Sequence, residues 1–535
     1  MLSDAVENAR SAISDALAPI GSARQSDADG RDDPDKLDAA LFRIVGVCGL
    51  ACIMAVLDNT VVTVAQRTFI AQFGSTQAIV SWTMAGYMLA FATVIPITGW
   101  AADRFGTKRL FIGSLLVFTL GSLLCALAPN ILLLIIFRVV QGIGGGMLLP
   151  LSFVILTREA GPKRVGRLMA IGGIPILLAP IGGPILGGWL IGAYGWKWIF
   201  LVNLPVGLAA FVLAAIMFPK DRPAPSEALD VIGMLLLSPG VVTLLIGVSS
   251  IPGRGTVADR YVLIPGIIGL AAIAVFIWHA LYRTDHPLVD LRLFKNRVVT
   301  EVNVTLVVFS AALIGTSLLV PSYFQLALHQ TPMQSGLHMV PVGIGAVLTM
   351  PLAGVFMDRH GPGKIVLIGL PLMAAGLVIF TFGVARNAEY APTLLAGLAI
   401  MGLGIGCTTT PLNAALMQAL APHQIARGTT LITVNQQVGG SVGAALLAVI
   451  LTSQFNRNET TISDNKTASL PEDAARHGPS AIPRQAPNPD FASNVLHSFS
   501  HAYTVVFVVA VALVSFTIIP AAFLPKKPVI PSVDE

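Results

Sequence analysis

The sequence predicts an all-α polytopic membrane protein with about fourteen spans: two six-helix bundles and two extra transmembrane helices between them. Three observations carry this reading. The 535 residues are 54% hydrophobic and only 11% charged, with a net charge of +5, whereas a soluble domain carries roughly 25% charged residues. Apolar runs near 20 residues, the length a helix needs to cross a bilayer, recur along the chain. A loop between two of those runs appears twice, once in each half.

Taken in order, residues 1–42 are polar and rich in Ala, Asp and Ser ("SARQSDADGRDDPDKLD"), with no apolar core or cleavage site of a signal peptide. A disordered cytoplasmic tail is expected there. Spans follow near 43–65, 78–101, 109–128, 131–156, 168–192 and 196–218, the expected first bundle (43–218). Spans near 229–251 and 261–283 form an inserted pair within 219–297. Spans near 298–328, 334–357, 364–385, 391–419, 428–453 and 501–524 make the second bundle (298–525), followed by a short cytoplasmic tail, 526–535. Residues 454–500, polar and Pro-rich, read as a flexible extracytoplasmic spacer, with a lid or partner-binding segment as the alternative, and hold two N-x-T triplets, at Asn458 and Asn465. The four cysteines, Cys48, Cys52, Cys125 and Cys407, all fall in apolar runs and read as small core filler rather than disulfide partners or metal ligands.

Positive charge sets the expected orientation. One set of alternate short loops holds 16 Lys and Arg (among them Arg158, Lys163, Arg222, Arg297 and Arg427) and the other holds 5 (Arg67, Lys197, Arg254, Arg260 and Arg386). The first set is therefore expected in the cytoplasm, together with both termini.

The repeated loop is "GWAADRFGTKRLFIG" in the first half and "GVFMDRHGPGKIVLIG" in the second. At an offset of 255, Gly99, Asp103, Arg104, Gly106 and Arg109 fall on Gly354, Asp358, Arg359, Gly361 and Lys364; Lys108 adds a further charge in the first copy. The glycines suit a tight turn, and the charges suit ion pairs and helix-end contacts that hold a cytoplasmic gate. A weaker echo links "QGIGGGMLLPL" at 141 with "MGLGIGCTTTPL" at 401. Parallel repeats of six spans build a large class of secondary transporters, with the substrate path between the halves.

Within the spans, Asp58 interrupts the apolar stretch "CGLACIMAVLDNTVVTVA", and an ionisable residue inside a membrane is a functional candidate by default. Arg138 does the same in the fourth span. Glu301 is a possible secondary acid, but it lies about 5 Å from its span's cytoplasmic start, where a snorkelling or helix-end role is favoured. His279 and His338 read as structural. Asn413, Asn435, Gln436 and Gln437 suit cavity lining and helix–helix contacts equally. Glycines and prolines crowd the fifth span, which suits either a kinked gate or close packing.

Several of these stretches resemble the major facilitator superfamily, in its 14-span drug/proton antiporter branch (EmrB/QacA-like), over roughly residues 43–525. "GWAADRFGTKR" resembles the superfamily's signature loop. "IIFRVVQGIGGGMLLP" resembles the fourth-span motif, carried by Arg138, Gln141, Gly142 and Gly144. "PIGGPILGGWL" resembles the antiporter motif, carried by Gly183, Pro184, Gly187 and Gly188. "LDNTVVTVA" resembles the branch's first-span motif and supplies Asp58 and Thr60, and "WKWIFLVNLPVG" resembles the start of its sixth span. The first-span motif usually continues N-V-A-L-P and here reads Thr63, Val64, Ala65, Gln66, Arg67, departing at Thr63, Gln66 and Arg67, and the later acidic residues that some relatives carry have no counterpart.

The resemblance implies a major facilitator fold and proton-coupled export of amphipathic organic compounds by alternating access, with a dedicated exporter of an endogenous lipid, siderophore or metabolite as the alternative. The implied partners are small amphipathic molecules, protons and the bilayer of the inner (plasma) membrane, with no cofactor, metal or nucleic acid. The implied unit is a monomer, alone or with an accessory envelope protein. No phosphate-binding loop supports an ATP-driven pump, and no residue constellation supports an enzyme. In the superfamily arrangement spans one and four both line the central cavity. At 1.5 Å per residue, Asp58 lies about 21 Å from the inner face and Arg138 about 10 Å from the outer one, similar depths in a ~30 Å core. The two are expected to interact, directly or through Gln141, as a proton-coupling pair: desolvation favours a neutral carboxyl and a nearby guanidinium favours a charged one.

Overall fold

The computed structural model describes residues 39–160, 164–221, 230–254, 258–284, 287–421, 424–464 and 489–527. Residues 1–38 of the expected tail 1–42, residues 528–535 of the expected tail 526–535, Lys163, Arg222 and Asn465 lie outside these residues. The chain divides into two units, Met1–Phe42 and Arg43–Glu535; only the last few residues of the first are described, as the start of a helix.

The described residues form helices and no strands. In chain order the long helices are α1 (Ala39–Phe73), α2 (Trp82–Phe105), α3 (Thr107–Ala126), α4 (Ile131–Ala160), α5 (Val165–Tyr194), α6 (Trp198–Met217), α7 (Val231–Arg254), α8 (Arg260–Tyr282), α9 (Arg297–Ala327), α10 (Pro332–His360), α11 (Pro362–Ala385), α12 (Tyr390–Gln418), α13 (Ile425–Asp464) and α14 (Pro489–Ala521). Thirteen have described stretches long and apolar enough to cross a membrane; α5, a continuous helix of 30 residues, makes the fourteenth. The chain is a multi-pass membrane protein. Helix ends differ from the sequence reading most clearly in three places. The first helix begins at Ala39, so the last four residues of the expected disordered tail 1–42 are helical. α1 continues to Phe73, and the expected spacer at 454–500 is helical at both ends, because α13 runs to Asp464 and α14 starts at Pro489.

Local chemistry fixes several helix starts. Thr331 and Gln334 form a reciprocal capping box with Pro332 at the first turn of α10, satisfying donors that a helix start leaves unpaired. Asp259 caps α8 and Asn296 caps α9 through their side chains. The two repeated loops turn in the same way, with Gly106 at φ +89° and Gly361 at φ +86°, a conformation that glycine adopts at little cost.

The repeat is visible in packing. α4 lies on α2 and α3, and α3 on α6; equivalently, α12 lies on α10 and α11, and α11 on α14. The same glycines permit these approaches: Gly142 meets the Tyr87 carbonyl as Gly402 meets that of Val342, and Gly144 meets the Phe118 backbone as Gly404 meets that of Met373. Small residues at such crossings let helix backbones close up. The halves meet along two seams, α5 with α10 and α2 with α13, and α7 of the inserted α7–α8 pair packs on the second seam. Leu237, Val241 and Phe276 of that pair share a buried apolar cluster with Ala92 of α2 and Leu431 of α13.

Candidate proton-coupling site

Asp58 sits in the middle of α1, 1% exposed. Around it the first bundle assembles a closed polar cluster inside an apolar wall. Arg138 Nη1 of α4 donates to Asp58 Oδ2. Gln141 Nε2, one turn further along α4, donates to Oδ1 at 2.9 Å, and Asn203 Nδ2 of α6 donates to the same oxygen at 2.8 Å. Ser122 of α3 ties the ring together, accepting from Gln141 at 3.1 Å and from Asn203 at 3.0 Å. Arg138 is itself fully buried. Its Nε donates to the Thr83 carbonyl at 3.1 Å, its Nη1 also reaches Gln141 Oε1 at 2.8 Å, and its guanidinium lies 4.0 Å from the centre of the Tyr87 ring. Tyr87 in turn donates to the Ala55 carbonyl of α1 at 3.2 Å.

Two charges taken out of water cost several kcal/mol each unless geometry and further hydrogen bonds compensate. Here both carboxylate oxygens accept, one of them twice, and the guanidinium is held by a carboxylate, an amide, a carbonyl and an aromatic face. Arg138 Nη2 is the exception, buried with no hydrogen-bond partner among the described residues. The cluster therefore matches an ionised Asp58. A proton on Asp58 would turn an acceptor into a donor where the neighbours are mostly donors.

The antiporter motif of α5 lies directly against this part of α1. Gly183 faces Thr60, two residues on from Asp58, and Gly187 faces Val61; any side chain at Gly183 would collide with Thr60. Thr60 donates to the Leu57 carbonyl at 2.9 Å and lies 3.4 Å from the Ala179 carbonyl of α5. Pro184 and Gly188 turn the other way, toward the second half; Pro184 lines a cavity there, and Gly188 faces Met333 of α10.

The remaining sequence-predicted residues are not brought to Asp58. Glu301 pairs with Arg297 at 2.6 Å at the start of α9, an i,i+4 helix-end contact. Asp103 pairs with Arg158 of α4 at 2.8 Å. Gly99 is buried within α2, Arg104 is exposed, and Lys108 and Arg109 offer their backbone N–H groups to the Asp221 carboxylate at 2.8 and 3.0 Å. In the second loop, Asp358 accepts from the backbone N–H of Gly166 and from Gln418, both at 3.2 Å, and lies 3.8 Å from Arg167 Nε; Arg359 and Lys364 are exposed. His279 pairs with Asp230 and His338 stacks on Tyr390. Gln436 donates to Asn413, and Asn435 donates to Asn303, contacts between second-half helices. All four cysteines are free and buried. Sequence reasoning missed Asn203 and Ser122. Asn203 stood inside "WKWIFLVNLPVG", a stretch singled out only as a whole; Ser122 carried no signal.

The Major Facilitator Superfamily model matches residues 47–444. The chain belongs to the major facilitator superfamily. It is 64% identical over 531 residues to the "Multidrug resistance protein B homolog" of Mycobacterium tuberculosis, covering 98% of each chain. It is 29% identical over 423 residues to the "Multidrug export protein EmrB" of Escherichia coli, covering 78% of this chain and 81% of that one. Among solved structures, the proton:xylose symporter XylE superimposes with a TM-score of 0.55 at 15% identity, over 92% of this chain and 98% of that one, a likeness of fold alone. As a superfamily member, this chain is a transporter of the same overall architecture.

Proposed function

We propose that this protein is a proton-coupled exporter of amphipathic organic compounds. It works in the plasma membrane with its basic loops and both termini in the cytoplasm, and it is not an enzyme. The buried Asp58 carboxylate, held by Arg138, Gln141 and Asn203 beside the α1–α5 seam, carries this reading. The names of the 64%-identical relative and of EmrB point to multidrug export. The charge imbalance between alternate loops supports the orientation.

In this mechanism an ionised Asp58 keeps the first bundle knitted across α1, α4 and α6. A proton entering from outside removes the charge that Arg138 faces and loosens the ring. Gly183 and Gly187 bring α5 into backbone contact with α1 at that level, so the change reaches the α5–α10 seam. Bound compound leaves outward in exchange, and loss of the proton to the cytoplasm restores the ring.

Everted membrane vesicles holding a pH gradient test it. Adding a lipophilic dye or antibiotic should discharge the gradient through the wild type and not through Asp58→Asn. A mutant that discharges it as the wild type does would remove Asp58 from the coupling and make Glu301 the next acid to test.

A further inference from the structure

The offsets that superimpose the two halves, 255 for their second and third helices and 260 for the fourth, map Tyr87 and Gln141 of the Asp58 site, with Phe118 and Gly145 packed beside Tyr87, onto four residues of the second half. Tyr87 maps to Val342, Phe118 to Met373, Gln141 to Met401 and Gly145 to Ile405. The glycine contacts confirm the register, since Gly121 meets Gln141 as Gly376 meets Met401. All four counterparts line one cavity of about 120 Å³. The place that holds buried charges in the first half holds thioethers and branched aliphatics in the second.

Three features give this cavity a ligand chemistry. None of its lining residues is charged. Its volume approaches that of engineered apolar cavities, about 150 Å³, which take up a benzene ring, and methionine side chains repack around differently shaped guests. Thr316, on the wall contributed by α9, is 1% exposed, and its hydroxyl has no hydrogen-bond partner among the described residues. A buried polar atom of this kind is costly to leave unpaired and normally finds a partner. Pro184 of the antiporter motif lines the cavity from α5.

We propose that this cavity binds an uncharged, ring-sized group of the exported compound, its ring against the methionines and aliphatic side chains and one hydrogen-bonding atom beside it on Thr316. The proposal rests on the export reading and deepens it. The first half handles the proton, its apolar counterpart in the second half handles the cargo, and α5 touches both through Gly183 on one side and Pro184 on the other.

The test uses the full chain in nanodiscs and two tritiated probes of matched shape, diphenylamine, which has one N–H, and diphenylmethane, which has none. Wild type should bind both. Thr316→Val should weaken diphenylamine by about threefold to tenfold, the range of a single net hydrogen bond, and leave diphenylmethane unchanged. Val342→Phe, which puts an aromatic ring where the first half already carries Tyr87, should fill the cavity and weaken both probes by about tenfold or more. If Val342→Phe does not insert, Thr316→Val decides alone. Equal binding of both probes by wild type and Thr316→Val overturns the proposal, as does failure of wild type to bind either. The export reading fails separately: if the probes bind and respond to the variants but never move against protons in vesicles, the cavity stands and the antiporter does not. If they exchange for protons while ignoring both variants, the antiporter stands and the cavity does not.

Discussion

The loops between α2 and α3 and between α10 and α11 share a sequence pattern and a turn, yet their acids do different work. Asp103 stays within its own bundle, pairing with Arg158 of α4. Its counterpart Asp358 crosses to the other half, where it accepts from Gly166 at the start of α5 and also holds Gln418 of α12. The close approach of Gly166 and Gly354 makes that crossing possible. The interiors differ in the same sense: the first half encloses Asp58 and Arg138, and the second encloses Met373 and Met401 at related places. A duplicated scaffold fixes where helices cross, and the side chains laid on it decide which copy carries charge and which bridges the halves.

The largest expected effect lies in the charged interior. Asp58→Asn leaves Arg138 buried without its counter-ion, and breaking a buried pair in this way costs about 3–5 kcal/mol. Thermal unfolding in detergent should show this as a large fall in Tm. The double variant Asp58→Asn with Arg138→Gln removes both charges and should recover most of the stability while substrate-driven proton release stays absent. A double variant as unstable as the single one would mean that the cluster is held by its amides and hydroxyls rather than by charge matching.

The loops come next. Hydrogen bonds to a charged group contribute about 1.5–3 kcal/mol, and 1.4 kcal/mol is a tenfold change in a population. Asp358→Asn should therefore shift the balance toward conformations with α5 and α10 apart at their basic ends, by about tenfold. Electron–electron resonance between spin labels at positions 164 and 359 would read it as a growing long-distance population. Asp103→Asn breaks a half-exposed pair, worth about 0–1 kcal/mol, and should leave that distance distribution in place. Matching shifts from the two variants would erase the distinction between the loops.

Much of this was legible in the sequence. Apolar run length located the helices, because the bilayer imposes a length, and helix rise placed Asp58 and Arg138 at one depth. Rise gives no azimuth, however. Nothing in the spacing shows that Asn203 and Ser122 face inward, whereas the helix-end role of Glu301 was readable from its place near the span's start, four residues after Arg297. The matched loops read as equivalent because their own residues are, whereas Asp358 differs from Asp103 through Gly166 and Arg167, far away in the chain. The helical ends of the 454–500 stretch were missed because polarity and proline marked it as a spacer, although both flanks continue apolar helices.

A comparably small effect separates a brace from a bridge. Asp221 follows α6, and its two carboxylate oxygens accept from the backbone N–H groups of Lys108 and Arg109 at the start of α3. Lys108 Nζ returns a bond to the Phe218 carbonyl at 2.8 Å. This is a helix cap delivered from a distant segment, and it also places negative charge at the positive end of the α3 dipole. The second half braces its loop differently, with Gly363 N–H donating to the Pro525 carbonyl at 3.0 Å after α14. Asp221→Ala should cost about 1 kcal/mol, as losing a cap does, with a small fall in Tm by scanning fluorimetry. Asp221→Asn, which keeps one acceptor, should cost less. The contact joins the start of α3 to the segment just after α6 and does not touch the α5–α10 seam, so neither variant should move the 164–359 distance distribution. If Asp221→Ala spreads it as far as Asp358→Asn does, the α2–α3 loop also serves the seam between halves.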